Sequence, residues 1–193
     1  MKYTKIQHKL EKVQGEKRYE HTLAVSYTAA SLAMRYGENV DDARLAGLLH
    51  DCAKHLSDER MLELAHKYNL DISKVEKDNP FLLHGKIGAL IAQKKFEVED
   101  ENILNAIRYH TTGRPGMSVL EKIIYISDYI EPNRNFRDNL NRVRTLAFQD
   151  INTCLVKILA DSLESLKERN MPIDSVTALT YDYYLKELMN NGK

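Results

Sequence analysis

Apolar residues recur at intervals of three and four along most of the chain, and no stretch of four or more alternates with period two between turn residues. Helices are therefore the predicted elements. In EHTLAVSYTAASLAMRYG (20–37) the small and apolar positions keep this spacing and stop at Gly37, a helix terminator. NVDDARLAGLLHDCAKH (39–55) carries Asp41 and Asp42 in its first turn, at the positive end of the helix dipole. SDERMLELAHKYN (57–69) starts from Ser57 as N-cap. A polar connection, LDISKVEKD, leads to NPFLLHGKIGALIAQKKF (79–96), with Asn79 as cap and Pro80 at the first helical position. Gly85, Gly88, Ala89 and Ala92 give that helix a surface for close approach to a neighbour. DENILNAIRYH, the turn TTGRPGM, and SVLEKIIYISDYIEP follow, the last with Ser118 and Glu121 at capping-box spacing and Pro132 as its stop. DNLNRVRTLAF, DINTCLVKILADSLESLKERN and DSVTALTYDYYLKELMN complete the chain. The expectation is an all-α protein of about eight helices, with one domain over 1–193, a core at about 18–131 and C-terminal helices at about 138–190 packed on it.

The polar residues that interrupt the apolar stripes carry the chemistry. His21 heads a stripe continued by Ala24, Val25, Thr28, Ala29 and Leu32, so it faces inward. His50 ends the stripe of Ala43, Ala46 and Gly47; His84 begins that of Ile87, Gly88, Ile91 and Ala92; His110 closes that of Ile103, Ala106 and Ile107. Asp128 follows Leu120 and Ile124 at intervals of four in the most apolar helix, where a carboxylate has to be paired, protonated or metal-bound. Taken alone, an inward histidine is more often a satisfied core residue than a ligand, and Asp128 reads equally well as the partner of an arginine or of a metal. His66, flanked by Leu62 and Leu70, is given no function. Together with Asp51, adjacent to His50, the set offers imidazole and carboxylate ligands without thiolate, which suits iron, manganese, nickel or zinc better than calcium or magnesium. Six ligands exceed what one catalytic ion with open positions needs, so the expectation is two ions, about 3.5 to 4 Å apart, bridged by Asp51.

Composition narrows the partners. Lysine plus arginine and aspartate plus glutamate number 28 each, so no global basic field draws in nucleic acid, and no nucleic-acid partner is expected. Cys52 and Cys154 stand far apart, as free thiols of a reducing compartment do. No run approaches ~20 apolar residues, so no membrane association is expected and the protein reads as cytoplasmic.

The pattern H…HD…D, here His21, His50 with Asp51, and Asp128, resembles the HD-domain metal phosphohydrolases. HGKIGA (84–89) and YHTTGRPGMSVLEKIIYISDYIEPNR (109–134) are similar to the YqeK family of bacterial HD-domain proteins, over roughly residues 18 to 185. That resemblance implies hydrolysis of diadenosine tetraphosphate to two ADP at a di-iron centre. The ligands it implies are His21, His50, Asp51, His84, His110 and Asp128. Asp51, Asp128 and Lys54 are the expected catalytic residues, Lys54 as an electrostatic helper, and His21 is expected at the substrate as well. Basic residues near these ligands are natural phosphate clamps: Arg18, Lys54, Arg114 and Arg134, the last marked by EPNR in the family pattern. Thr111, Thr112 and Gly113 offer hydroxyl and backbone donors, with a plain turn as their other reading. Phe136 and Tyr181 offer stacking surfaces, with core packing as theirs. The apolar helices after residue 138 offer a surface for a homodimer.

Three other functions use the same residues: a nucleotidase or pyrophosphatase acting on a mononucleotide or a guanosine alarmone, a di-iron oxygen-activating enzyme, and a non-catalytic nucleotide-sensing module with structural metals. Product analysis, oxygen consumption, and binding without turnover separate them.

Overall fold

The structure is a computed structural model describing residues 3–135 and 139–191. Its described residues form eleven α-helices, one 3-10 turn and no strand. The fold is thus all-α, with more helices than the sequence pattern implied. The additions are short or weakly patterned. α1 (Tyr3–Val13) buries Ile6 and Leu10 in an otherwise charged segment. α5 (Lys74–Asp78) lies in the polar connection, closed by a reciprocal cap between Ser73 and Glu76.

α2 (Glu16–Tyr36) ends at Gly37 in the left-handed conformation expected of a glycine stop. α3 (Val40–Leu49) is capped by Asn39, whose side chain accepts from the amides of Asp41 and Asp42. It stops at His50 instead of running on to residue 55, because the chain continues in successive tight turns, Cys52 to Leu49 and Lys54 to Asp51. α4 (Asp58–Lys67) uses Ser57 as its cap. Pro80–Leu83 form the 3-10 turn, so α6 (His84–Phe96) begins at His84 and not at Pro80. α7 (Glu101–Arg108) and α8 (Val119–Ile130) follow, then α9 (Leu140–Gln149), α10 (Ile151–Glu168) and α11 (Ser175–Asn191).

α2 packs along α3 and α8, α6 along α7, and α7 against both α3 and α8. Two glycines allow the closest of these contacts. A Cβ at Gly47 would lie 2.9 Å from Ser26 Cα in α2, and one at Gly85 would lie 2.6 Å from the Arg108 carbonyl in α7. The C-terminal helices close the far side: α10 lies on α8 and α9, and α11 on α10. Tyr184 anchors α11, accepting the amide of Met117 at 2.6 Å. No helix among the described residues is long and apolar enough to cross a membrane.

Candidate metal centre

Five helices deliver six side chains to one point. His21 projects from the second turn of α2, His50 and Asp51 leave the end of α3, His84 opens α6, His110 follows α7, and Asp128 lies in the last turns of α8. Five of the six positions are buried, His21, His50, Asp51, His84 and His110, while the Asp128 side chain is 24% exposed and forms the mouth.

The histidines are oriented before any ligand arrives. His50, His84 and His110 each donate Nδ1–H to the carbonyl three residues upstream, that of Gly47, Phe81 and Ile107, at 2.7, 2.7 and 2.8 Å. His21 Nδ1 lies 3.2 Å from Glu131 Oε1. These bonds leave all four Nε2 atoms as lone pairs turned inward. They converge in two pairs: His21 and His50 at 3.3 Å, His84 and His110 at 3.2 Å.

Asp51 stands between the pairs. Its Oδ2 lies 3.9 Å from His21 Nε2 and 3.5 Å from His50 Nε2, while Oδ1 lies 3.5 Å from both His84 Nε2 and His110 Nε2. Oδ1 is buried and accepts no hydrogen bond from any described residue. Asp128 Oδ1 closes the first pair, 3.1 Å from His21 Nε2 and 3.9 Å from His50 Nε2. Groups of three with atoms spaced for a shared ion include His21, His50 and Asp51, and also Asp51, His84 and His110.

The electrostatics call for positive charge in the centre. Burial works to raise the Asp51 carboxyl, but His50 and His110 outweigh it and hold the group well below the usual carboxylate range. Asp128 is likewise pulled down against its burial by the His21 hydrogen bond, by His50 and by Arg134. His84 goes the other way: burial, then the neighbouring His110 and Lys54, lower it to about 3, so it stays a neutral imidazole, as a ligand must be. Converging lone pairs and ionised carboxylates repel unless cations lie between them. The chemistry and spacing of the donors therefore fit divalent transition-metal ions. Cys52 is no competitor, because burial and the Asp51 charge push its thiol up to about 12.

Three basic side chains surround the mouth. Arg18 Nη1 is 2.6 Å from Asp51 Oδ2, Arg134 Nη2 is 2.8 Å from Asp128 Oδ1, and Lys54 Nζ is 3.0 Å from His84 Nε2. Each is partly exposed. The other residues singled out in the sequence lie elsewhere. Arg114 pairs with buried Glu121 at 2.7 Å and stacks over Tyr109. Gly113 has a φ of 63° and packs under Thr180 of α11, and Thr112 donates to the Gly113 carbonyl. Thr111 and Thr112 line a cavity of about 620 Å³ with Lys86, Arg108 and Asp174, which none of the six clustered residues lines. Tyr181 lines a groove with Leu163, Glu164 and Lys167. Phe136 lies outside the described residues.

Sequence reasoning missed Glu131, which is buried and holds His21. It stands just past the end of α8, beyond Ile130, and nothing in the sequence ties it to His21 on α2. It also missed Gln14, whose Nε2 donates to the Asp51 carbonyl at 3.4 Å.

The family model described as HD domain matches residues 18–133, a span that contains all six clustered residues. A Bacillus subtilis (strain 168) protein named bis(5'-nucleosyl)-tetraphosphatase, symmetrical, is 42% identical over 168 residues, covering 87% of this chain and 89% of its own. One of the same name from Staphylococcus aureus (strain NCTC 8325 / PS 47) is 33% identical over 171 residues, 88% of this chain and 87% of its own. A crystal structure from Clostridium acetobutylicum, described as a predicted HD superfamily hydrolase involved in NAD metabolism, superposes with a TM-score of 0.93 at 40% identity, over 97% of this chain and 98% of that one.

Proposed function

Because the chain belongs to the HD-domain family, alongside the symmetrical bis(5'-nucleosyl)-tetraphosphatases, we infer that it hydrolyses diadenosine tetraphosphate to two molecules of ADP. The centre for this reaction is the six-residue cluster, holding two transition-metal ions. The observation that carries the two-ion reading is Asp51: its two oxygens face different histidine pairs, and the buried Oδ1 accepts no hydrogen bond from a described residue. Iron is the ion proposed first, from the family resemblance; manganese, nickel and zinc suit the same donors.

When bound, such ions would supply Lewis acidity and lower the pKa of a water from ~15.7 toward ~7. The chain's own residues do the rest. Nδ1 hydrogen bonds hold the four imidazoles at fixed angles, so little reorganisation accompanies the reaction. Arg18 and Arg134, resting on Asp51 and Asp128, are the clamps for the phosphoryl oxygens, each guanidinium matching two oxygens at once. Lys54 adds positive charge beside the His84 pair. A water gives up a proton to solvent as its oxygen bonds to an inner phosphorus, the central P–O–P bridge breaks, and the departing ADP phosphate carries the electron pair away. Its low pKa removes any need for a strong acid.

The reading is tested by incubating the purified, metal-analysed protein with diadenosine tetraphosphate and resolving the products by anion exchange, with iron and manganese supplied in turn. ADP as sole product is expected. ATP plus AMP would mean attack at an outer phosphate and overturn the clamp assignment. No turnover with two ions bound would overturn the substrate and direct the search to mononucleotides and alarmones.

A further inference from the structure

Three of the four clustered histidines are held alike and the fourth is not. His50, His84 and His110 sit at helix ends, where an upstream carbonyl is free to accept Nδ1–H. His21 lies within α2, where the preceding carbonyls already accept ladder bonds, so its Nδ1 needs an acceptor from another element. Glu131 provides it at 3.2 Å. This carboxylate is 2% exposed and firmly placed. Its Oε2 accepts the amide of Asn133 at 2.7 Å. The turn that carries it is gripped by Arg144 of α9, which donates to the carbonyls of Ile130, Glu131 and Arg134 at 2.9, 2.9 and 2.8 Å.

We propose that Glu131 is a positioning residue that makes the two ion positions unequal, so that the ion on the His21 side binds more tightly than the ion on the His84 side. The proposal rests on the two-ion reading above. Two features act in the same direction. A carboxylate behind an imidazole raises its basicity and fixes its angle more strongly than a neutral carbonyl does. The His21 side also offers the larger donor set, with His21, His50, Asp128 and Asp51 Oδ2 facing it, against His84, His110 and Asp51 Oδ1 on the other. Basic side chains stand on both sides and do not reverse this order. Arg18 and Arg134 on the first are accompanied by Asp128 and Glu131, whereas Lys54 on the second has Asp51 Oδ1 as its carboxylate neighbour, at 4.0 Å.

The experiment is a titration of the metal-stripped, full-length protein with Mn2+, the free ion being read by electron paramagnetic resonance. The native chain should bind two ions in steps separated by at least about tenfold. Glu131→Gln keeps the shape and removes the charge; it should weaken the tighter step by about 10–100-fold and leave the weaker within about twofold, so that the steps draw together. Arg144→Gln leaves Glu131 in the chain but loosens its turn, and should weaken the same step by a smaller factor; it carries the test if Glu131→Gln does not fold. His84→Ala should remove the weaker step alone. Equal steps in the native chain, or a Glu131→Gln effect spread evenly over both steps, would overturn the inference and leave the two-ion reading standing. A native chain that binds a single ion would overturn both.

Discussion

The two halves of the centre reach the same end by different means. On the α6–α7 side the proposed ligands are helix-terminal, their angles come from local carbonyls, and their separation comes from Gly85 lying against the Arg108 carbonyl. On the α2–α8 side His50 is likewise helix-terminal and held by a carbonyl, but His21 and Asp128 lie within helices, and charge bears on the proposed ligands there: Glu131 behind His21, Arg134 on Asp128, Arg18 on Asp51. The first half is a packing device and the second an electrostatic one. Substitutions of volume should therefore damage the first half, and substitutions of charge the second.

Asp51 belongs to both halves, so Asp51→Ala should have the largest effect: both ions lost and turnover reduced on the order of 10³-fold or more, since outer contacts alone are worth 10–100-fold. The protein should remain helical by circular dichroism, because the apolar core does not depend on this carboxylate. Retention of one full equivalent of metal would show that the halves are not joined through Asp51.

Gly85→Ala should come next and strike one half only. The added Cβ meets backbone, 2.6 Å from the Arg108 carbonyl, so α6 has to move from α7, carrying His84 away from His110. We expect a loss of about 1–3 kcal/mol of stability, as for other overpacked contacts, read by urea denaturation. With it should go the metal equivalent on the His84 side. If that equivalent stays while stability falls, glycine contact and ligand spacing are independent.

The legibility of this architecture in the sequence follows the same division. The inward histidines and Asp128 could be read because each lies on an apolar stripe, and the helical period alone then fixes its direction. Gly85 and Gly88 were legible as a close-approach surface for the same reason. What charge arranges was not legible. Glu131 stands next to Pro132 and reads as a helix end, while its partner His21 is 110 positions away. Ser118 and Glu121 have capping-box spacing, and Ser118 does accept the Glu121 amide at 3.2 Å, yet the Glu121 carboxylate turns instead to Arg114. Helix-face arithmetic says which way a residue points, but not which of several long charged side chains it meets there.

Arg134→Ala should have a more moderate effect. It removes a guanidinium from Asp128 at the mouth and, on the proposed mechanism, a clamp on the phosphoryl oxygens. KM for diadenosine tetraphosphate should rise about tenfold, the scale of one charge-assisted hydrogen bond, with both metal equivalents kept. A fall in bound metal without a rise in KM would assign Arg134 to the ligands instead of to the substrate.

The smallest effect is expected at Lys54, where two consequences oppose each other. Its ammonium lies 3.0 Å from the His84 lone pair, and burial lowers its pKa while Asp51 and Asp128 raise it. Removing it in Lys54→Ala should ease cation binding on the His84 side, because a competing donor and a like charge are gone. It should also take positive charge away from the bound polyphosphate. The side chain is 34% exposed, so solvent weakens both terms, and turnover should fall only severalfold while the weaker Mn2+ step tightens by a similar factor. Both changes should shrink as salt is raised. A loss of turnover as large as that of Asp51→Ala, with metal content unchanged, would instead make Lys54 a catalytic residue in contact with the reacting phosphate, and the packing half of the centre would then hold a chemical group as well as two ligands.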